Sequence, residues 1–240
     1  MNPNAVTSVR SSAFRPQGWL GVLLLAVAGA SQAFSLAWPW ARGQGDGWLT
    51  MVGGYGRPLW WLQILSLAVL VHALLLAPTA GRAALRGWAF ATAWLAATFW
   101  WLFISMHTYG GLAAPLAVAA VLALAAFLGG YYAIVSWFFK RISHVPSALA
   151  AMVFAALWTL AELARGWLWT GFPWGAGGYA HVEGPLSVLP RWIGVYGTGF
   201  VAAWIAAWLA LLVGRARVQP GKLHLKPVLA SLAALVLVWG

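Results

Sequence analysis

The sequence predicts an all-α fold, a polytopic transmembrane helix bundle of about seven spans with its N-terminus in the cytoplasm. Three observations predict it. The 240 residues are 63% apolar and only 7% charged, with a mean hydropathy of +0.82. Water-soluble domains carry roughly a quarter charged residues, so no soluble surface can be built from this composition. Windows of about 20 apolar residues recur along the chain, each long enough to cross a hydrocarbon core of roughly 30 Å as a helix, whereas the short alternating segments of a membrane barrel are absent. The basic residues are also divided unevenly between the two sides that these spans define.

Ten of the fourteen fall in segments read as inside: Arg10, Arg15, Arg82, Arg86, Lys140, Arg141, Arg215, Arg217, Lys222 and Lys226. Arg42, Arg57, Arg165 and Arg191 remain outside. That bias orients a membrane protein with its N-terminus inside, and it accounts for the net charge of +11 without nucleic acid as a partner.

The elements follow in order. Residues 1–18 form a polar, basic cytoplasmic lead, and 19–240 the transmembrane domain. Span one, 19–38, is longer than a signal-peptide core and is followed by further spans, so it reads as an uncleaved helix. A Gly-rich outside loop, 39–57, leads to span two (59–77), which stops at Pro78. A basic inside loop at 82–86 precedes span three (87–106). The "HTYGG" segment at 107–111 makes a tight outside turn, since paired glycines admit positive φ. Span four (112–139) ends at Lys140 and Arg141. Span five starts after Pro146 and reaches Glu162. A long outside loop, 165–191, precedes span six (192–213), and a basic inside stretch precedes a seventh apolar run at 227–240. Seven crossings from an inside start deliver the chain end to the outer face, in mid-helix or at its exit.

Few residues offer chemistry. The chain has no cysteine, which excludes a thiol nucleophile or a thiolate metal site within these 240 residues. The five histidines are scattered; His181 and Glu183 are close, but a metal needs three or four convergent ligands, so no metal and no cofactor is expected. Most of the nineteen Trp read as interface anchors and packing. The stretch "ELARGWLWTGFPWGAGGY" (162–179) is different. Glu162 and Arg165 lie one helical turn apart on one face. They read equally as a structural ion pair capping the helix end or as part of a site, because an acid desolvated near a membrane needs a partner. Beyond them, Phe172-Pro173-Trp174 cannot continue a helix, because proline lacks an N–H and restricts the residue before it. The loop is expected to turn back with its Trp, Phe and Tyr at headgroup depth, a surface suited to acyl chains.

At this point the chain resembles the membrane region of the apolipoprotein N-acyltransferase family. The resemblance lies in "WWLFISMHTYGGLAAPLAV" (100–118), in 162–179, in "GPLSVLPRWIGVYGTGF" (184–200) and in the order of the spans. It implies a bacterial inner-membrane acyltransferase with a periplasmic functional face. Its partners would be a phospholipid acyl donor and a diacylglyceryl lipoprotein acceptor, whose N-terminal cysteine amine is acylated. By the same resemblance a cysteine nucleophile, a glutamate base and a lysine belong to a nitrilase-like domain expected after residue 240. None of these catalytic residues lies in this chain, which is expected to be inactive alone. What carries over is a substrate-binding cradle of Trp174, Phe172, Pro173, Glu162, Arg165, Tyr179 and Tyr196. Two other readings stand beside it: a small transporter or lipid-binding membrane protein reusing the scaffold, and a split enzyme whose catalytic domain is a separate chain. Charges confined to loops and span ends argue against ion-coupled transport.

Overall fold

Apolar runs fold as helices here because a bilayer offers no partner for backbone N–H and C=O groups, and a helix satisfies them within the segment. The computed structural model describes residues 17–39, 56–142 and 147–218. Among these, every regular element is helical. In order they are α1 (Gln17–Leu36), α2 (Trp60–Leu75), α3 (Ala80–Thr98), α4 (Trp100–Ile104), a π-helical turn (Ser105–Tyr109), α5 (Ala114–Ile142), α6 (Ser147–Trp167), 3₁₀ turns at Leu168–Thr170 and Gly177–His181, and α7 (Pro190–Val218). The N-terminal lead to residue 16, residues 40–55 and the seventh apolar run lie outside the described residues.

Packing contacts close a ring that runs α1, α3, α5, α6, α7, α2 and back to α1. α5, α6 and α7 are each long and apolar enough to cross a membrane; α3 with α4 and the π turn forms a fourth candidate span bent by 53°, and α1 and α2 are shorter apolar helices. The outside of the ring exposes Leu23, Leu24, Leu65, Val69, Leu122 and Ile134, an apolar surface suited to lipid rather than water. The inside is aromatic. Trp158 of α6 lies against Tyr132 of α5, Trp94 and Phe90 of α3, and Phe154 of its own helix, with ring centroids 4.7–6.2 Å apart. Such edge-to-face and stacked pairs fix ring orientations as well as burying area.

Three boundaries differ from the sequence reading, each for a physical reason. α3 begins at Ala80 rather than 87, because Thr79 Oγ1 accepts from the Arg82 N–H and caps the helix. Arg82 and Arg86 therefore sit on its first turns, not in a loop. Arg86 Nη1 donates to Ala73 O at 2.5 Å and Lys140 Nζ to Leu75 O at 2.8 Å, so two cations satisfy the last carbonyls of α2. The 107–111 turn is π-helical through Tyr109, with the reversal at Gly111, φ 69°. Finally, α6 runs to Trp167, five residues beyond Glu162, which puts Glu162 and Arg165 inside the helix and not at its exit.

Two glycines set how closely α3 approaches its neighbours. A Cβ on Gly29 of α1 would lie 2.2 Å from Phe90 O, and one on Gly87 would meet the Ser136 side chain and Tyr132 O. Gly29→Ala is expected to force α1 off α3, and overpacking of this kind costs about 1–3 kcal/mol. Its thermal midpoint in detergent should fall by several degrees. Gly130→Ala, where a Cβ meets nothing within 4 Å, should hold or raise it. Equal midpoints for the two variants would refute close packing at Gly29.

Candidate functional site

The segment that turns back after α6 is fastened by a single guanidinium. Arg165, 1% exposed, donates from Nη1 to Phe172 O at 2.7 Å and to Trp174 O at 2.6 Å. Its Nε donates to the Tyr132 hydroxyl at 3.2 Å, and its plane lies 5.7 Å over Trp94. The Phe172 N–H returns a bond to Arg165 O at 2.7 Å. The chain can reverse this tightly because Gly171 takes φ 77°, where a Cβ would lie 2.0 Å from Gly166 O. Just before it, Trp169 also adopts positive φ, 56°, an outlying conformation for a bulky residue. One planar group with several fixed donors thus closes a turn that proline prevents from continuing as helix.

Glu162, also 1% exposed, binds the other end of the same segment. Its Oε1 accepts the Gly177 N–H at 2.9 Å, and the Trp158 indole donates to the same carboxylate. The Glu162–Arg165 ion pair, one of the two sequence readings, does not form as a contact: among the described residues no N–O approach within 4 Å joins them, and the ion pair found is Arg57–Glu183 at 3.4 Å. The two charges still attract through the low-dielectric interior. Each instead hydrogen-bonds to main-chain groups of the returning loop, Arg165 to two carbonyls and Glu162 to one N–H.

The named site residues divide accordingly. Glu162 and Arg165 are buried supports. Phe172 points inward, its ring 4.8 Å from Phe99 in an edge-to-face contact, rather than projecting at headgroup depth. Tyr196 packs its hydroxyl beside Gly166. Pro173, Trp174 and Tyr179 are exposed, Trp174 to 58% and Tyr179 to 53%. Trp174 and Tyr179 line a groove of about 650 Å³ together with Trp100, Trp101, Ala33 of α1 and Ala37 just after it. Trp101 and Trp174 meet edge to face at 6.0 Å. The bend at Phe99 creates this groove, because it swings Trp100 and Trp101 out of the line of α3 and over the loop.

The polar lining behind the loop was not legible as a site. Gln63 of α2, fully buried, accepts from His181 Nε2–H at 2.9 Å, and Gln32 of α1 is buried nearby. A Cβ on Gly177 would lie 2.7 Å from Gln63 Nε2 and 3.7 Å from Gln32 Nε2, so both amides converge where Glu162 receives the loop. The available signal was two glutamines inside otherwise apolar runs. Among the described residues no cluster of three His, Cys, Asp or Glu side chains gathers as for a metal. His181 is committed to Gln63 and Glu183 to Arg57.

Two outcomes are expected. Arg165→Lys supplies charge without the planar fork, so amide hydrogen exchange across 171–177 should rise at least tenfold, and exchange at the wild-type rate would dismiss the clamp. Burial pushes the His181 pKa from 6.5 down to about 4. The folded protein therefore stays neutral there while the unfolded chain takes up a proton below pH 6.5. Stability is full above pH 6.5 and is lost as pH falls towards 4, by up to about 3 kcal/mol. The melting temperature in detergent should drop across that window, and less steeply for His181→Gln; matching slopes would contradict the assignment.

With this geometry in hand, the relatives are informative. The family described as apolipoprotein N-acyltransferase N-terminal domain matches residues 46–208. A protein from Verminephrobacter eiseniae named apolipoprotein N-acyltransferase is 56% identical over 211 residues, covering 79% of this chain and 36% of the relative. One of the same name from Ralstonia nicotianae is 42% identical over 183 residues, covering 75% and 34%, and one from Bordetella bronchiseptica is 39% identical over 241 residues, covering 95% and 41%. The chain thus spans between about a third and two-fifths of these relatives' length. It belongs to the apolipoprotein N-acyltransferase family.

Proposed function

We propose that this chain forms the membrane part of an enzyme that moves an acyl chain from a phospholipid to the α-amino group of an N-terminal S-diacylglyceryl cysteine. In this reading it sits in a bacterial inner membrane, N-terminus cytoplasmic, with the 165–191 face towards the periplasm. Family membership supports the reaction class. The groove walled by Trp100, Trp101, Trp174 and Tyr179 is the observation that carries the lipid role. Its lining is mostly alanines and aromatic rings, which suits the passage or parking of a methylene chain. Edge-to-face packing of Trp174 on Trp101 leaves an indole face for that chain.

The chemistry itself requires groups outside this stretch. Ester attack by a thiolate needs a cysteine, and these 240 residues have none. Glu162 is not a substitute base, because its carboxylate is buried and held by the Gly177 N–H and the Trp158 indole. In this reading the bundle binds and orients lipid, and a catalytic domain, continuous or on another chain, performs the transfer.

Trp174→Ala in the complete enzyme that carries this chain should lower acyl transfer about tenfold, a loss of roughly 1.4 kcal/mol of lipid contact, with the folded protein present at its normal level. Trp174→Phe should retain most of the activity. Wild-type turnover in Trp174→Ala would remove the groove from the reaction. The 240-residue chain by itself should transfer no acyl group from phosphatidylethanolamine to a diacylglyceryl peptide, and measurable transfer would place the catalytic groups within it.

A further inference from the structure

Behind the returning loop, polar atoms gather that the bonds between residues do not use up. α1 and α2 share a seam on which Ser66 Oγ of α2 donates to Ala28 O of α1 at 2.6 Å. Four residues further along α1 stands Gln32, and three residues before Ser66 stands Gln63; they are 1% and 0% exposed. Among the described residues, neither Oε1 nor Nε2 of Gln32 has a hydrogen-bond partner. Gln63 commits Oε1 to His181 and Glu162 commits Oε1 to the Gly177 N–H, but Gln63 Nε2 and Glu162 Oε2 have no partner among those residues.

The three side chains meet at Gly177. Measured from the position a Cβ would take there, Gln63 Nε2 lies at 2.7 Å, Glu162 Oε1 at 3.3 Å and Gln32 Nε2 at 3.7 Å. A buried amide with no bond forfeits its hydration for nothing, so folded proteins pair such groups with other residues or with ordered water. The bonding left open here is of both kinds. Two amide nitrogens offer N–H donors, while Gln32 Oε1 and Glu162 Oε2 offer lone pairs. A metal ion has no use for the N–H groups, and an anion meets the Glu162 carboxylate. Water both accepts and donates, and it needs two to four polar partners to be held.

We propose that α1, α2 and α6 enclose an internal hydration site behind the loop. Ordered water there accepts from the Gln32 and Gln63 amides and donates to Glu162 Oε2 and Gln32 Oε1. The site ties α1 to the carboxylate that receives the loop at Gly177. It thereby joins two elements that both line the groove, α1 through Ala33 and the loop through Trp174. It needs only the bundle and its loop, so it stands apart from the acyl-transfer reading.

The test uses the full chain in detergent, with thermal unfolding of Gln32→Leu and a structure of the unsubstituted protein at a resolution that shows ordered water. Leucine keeps much of the volume but takes partners from the water and leaves Glu162 Oε2 less well bonded. The midpoint should therefore fall by about 2–4 °C. Density for water should lie within hydrogen-bond distance of Gln32 Nε2 and Glu162 Oε2. An unchanged or higher midpoint in Gln32→Leu would mean that leucine relieves a dry, unbonded amide, and would overturn the site. So would a structure in which Gln32 bonds Glu162 or Gln63 directly with no density between them. Density too extended for water would overturn the water assignment in favour of a bound hydroxyl compound.

Discussion

One end of this bundle is organised around the burial of one guanidinium. Arg165 is 1% exposed and, among the described residues, no carboxylate lies within 4 Å of it; an isolated charge in such a place would cost several kcal/mol. Its solution is to recruit main-chain carbonyls and a phenol. Doing so dictates the path of the polypeptide: the chain must reverse at Gly171, bring Phe172 O and Trp174 O to one nitrogen, and leave Phe172 facing Phe99. Glu162 imposes the complementary requirement one turn earlier, demanding an N–H, which the loop supplies at Gly177. A turn, a half-buried phenylalanine and an exposed tryptophan follow from the hydrogen-bonding needs of two side chains on one helix.

The ring of helices makes those demands affordable in physical terms, because rigid neighbours hold the partners in place. Trp158 binds the Glu162 carboxylate while packing against Tyr132, and Tyr132 in turn receives a bond from Arg165. Aromatic packing and polar satisfaction are thus the same set of residues. In a lipid-solvated protein the hydrophobic effect does not separate inside from outside, so interdigitated rings and buried hydrogen bonds carry the specificity of the interior.

Much of the architecture was readable from residue order alone. Six apolar runs became helices at the anticipated places, because a run of that length in a bilayer has no alternative to helix. The beginning of α3 was misread because arginines look like loop residues, whereas here Arg86 reaches back to the end of α2. The paired charges of 162–165 were noticed, but their spacing says only that they share a helix face. Whether they meet each other or a returning loop depends on Gly171 and on carbonyls that no pattern reveals. Gln63 and Tyr132 went unremarked because single polar groups are lost within apolar windows, although Gln63 holds His181 of the loop and Tyr132 holds its anchor Arg165.

The 53° bend at Phe99 also bears on how the wall containing α3 matches the thickness of its bilayer. A straight helix of that length would measure about 45 Å, half again the roughly 30 Å of hydrocarbon it has to cross. Bent, the last ten residues advance only about 9 Å along the axis of α3 in place of about 15 Å. The surplus is laid sideways, so hydrophobic mismatch that would otherwise be relieved by tilting the whole helix is absorbed at one joint.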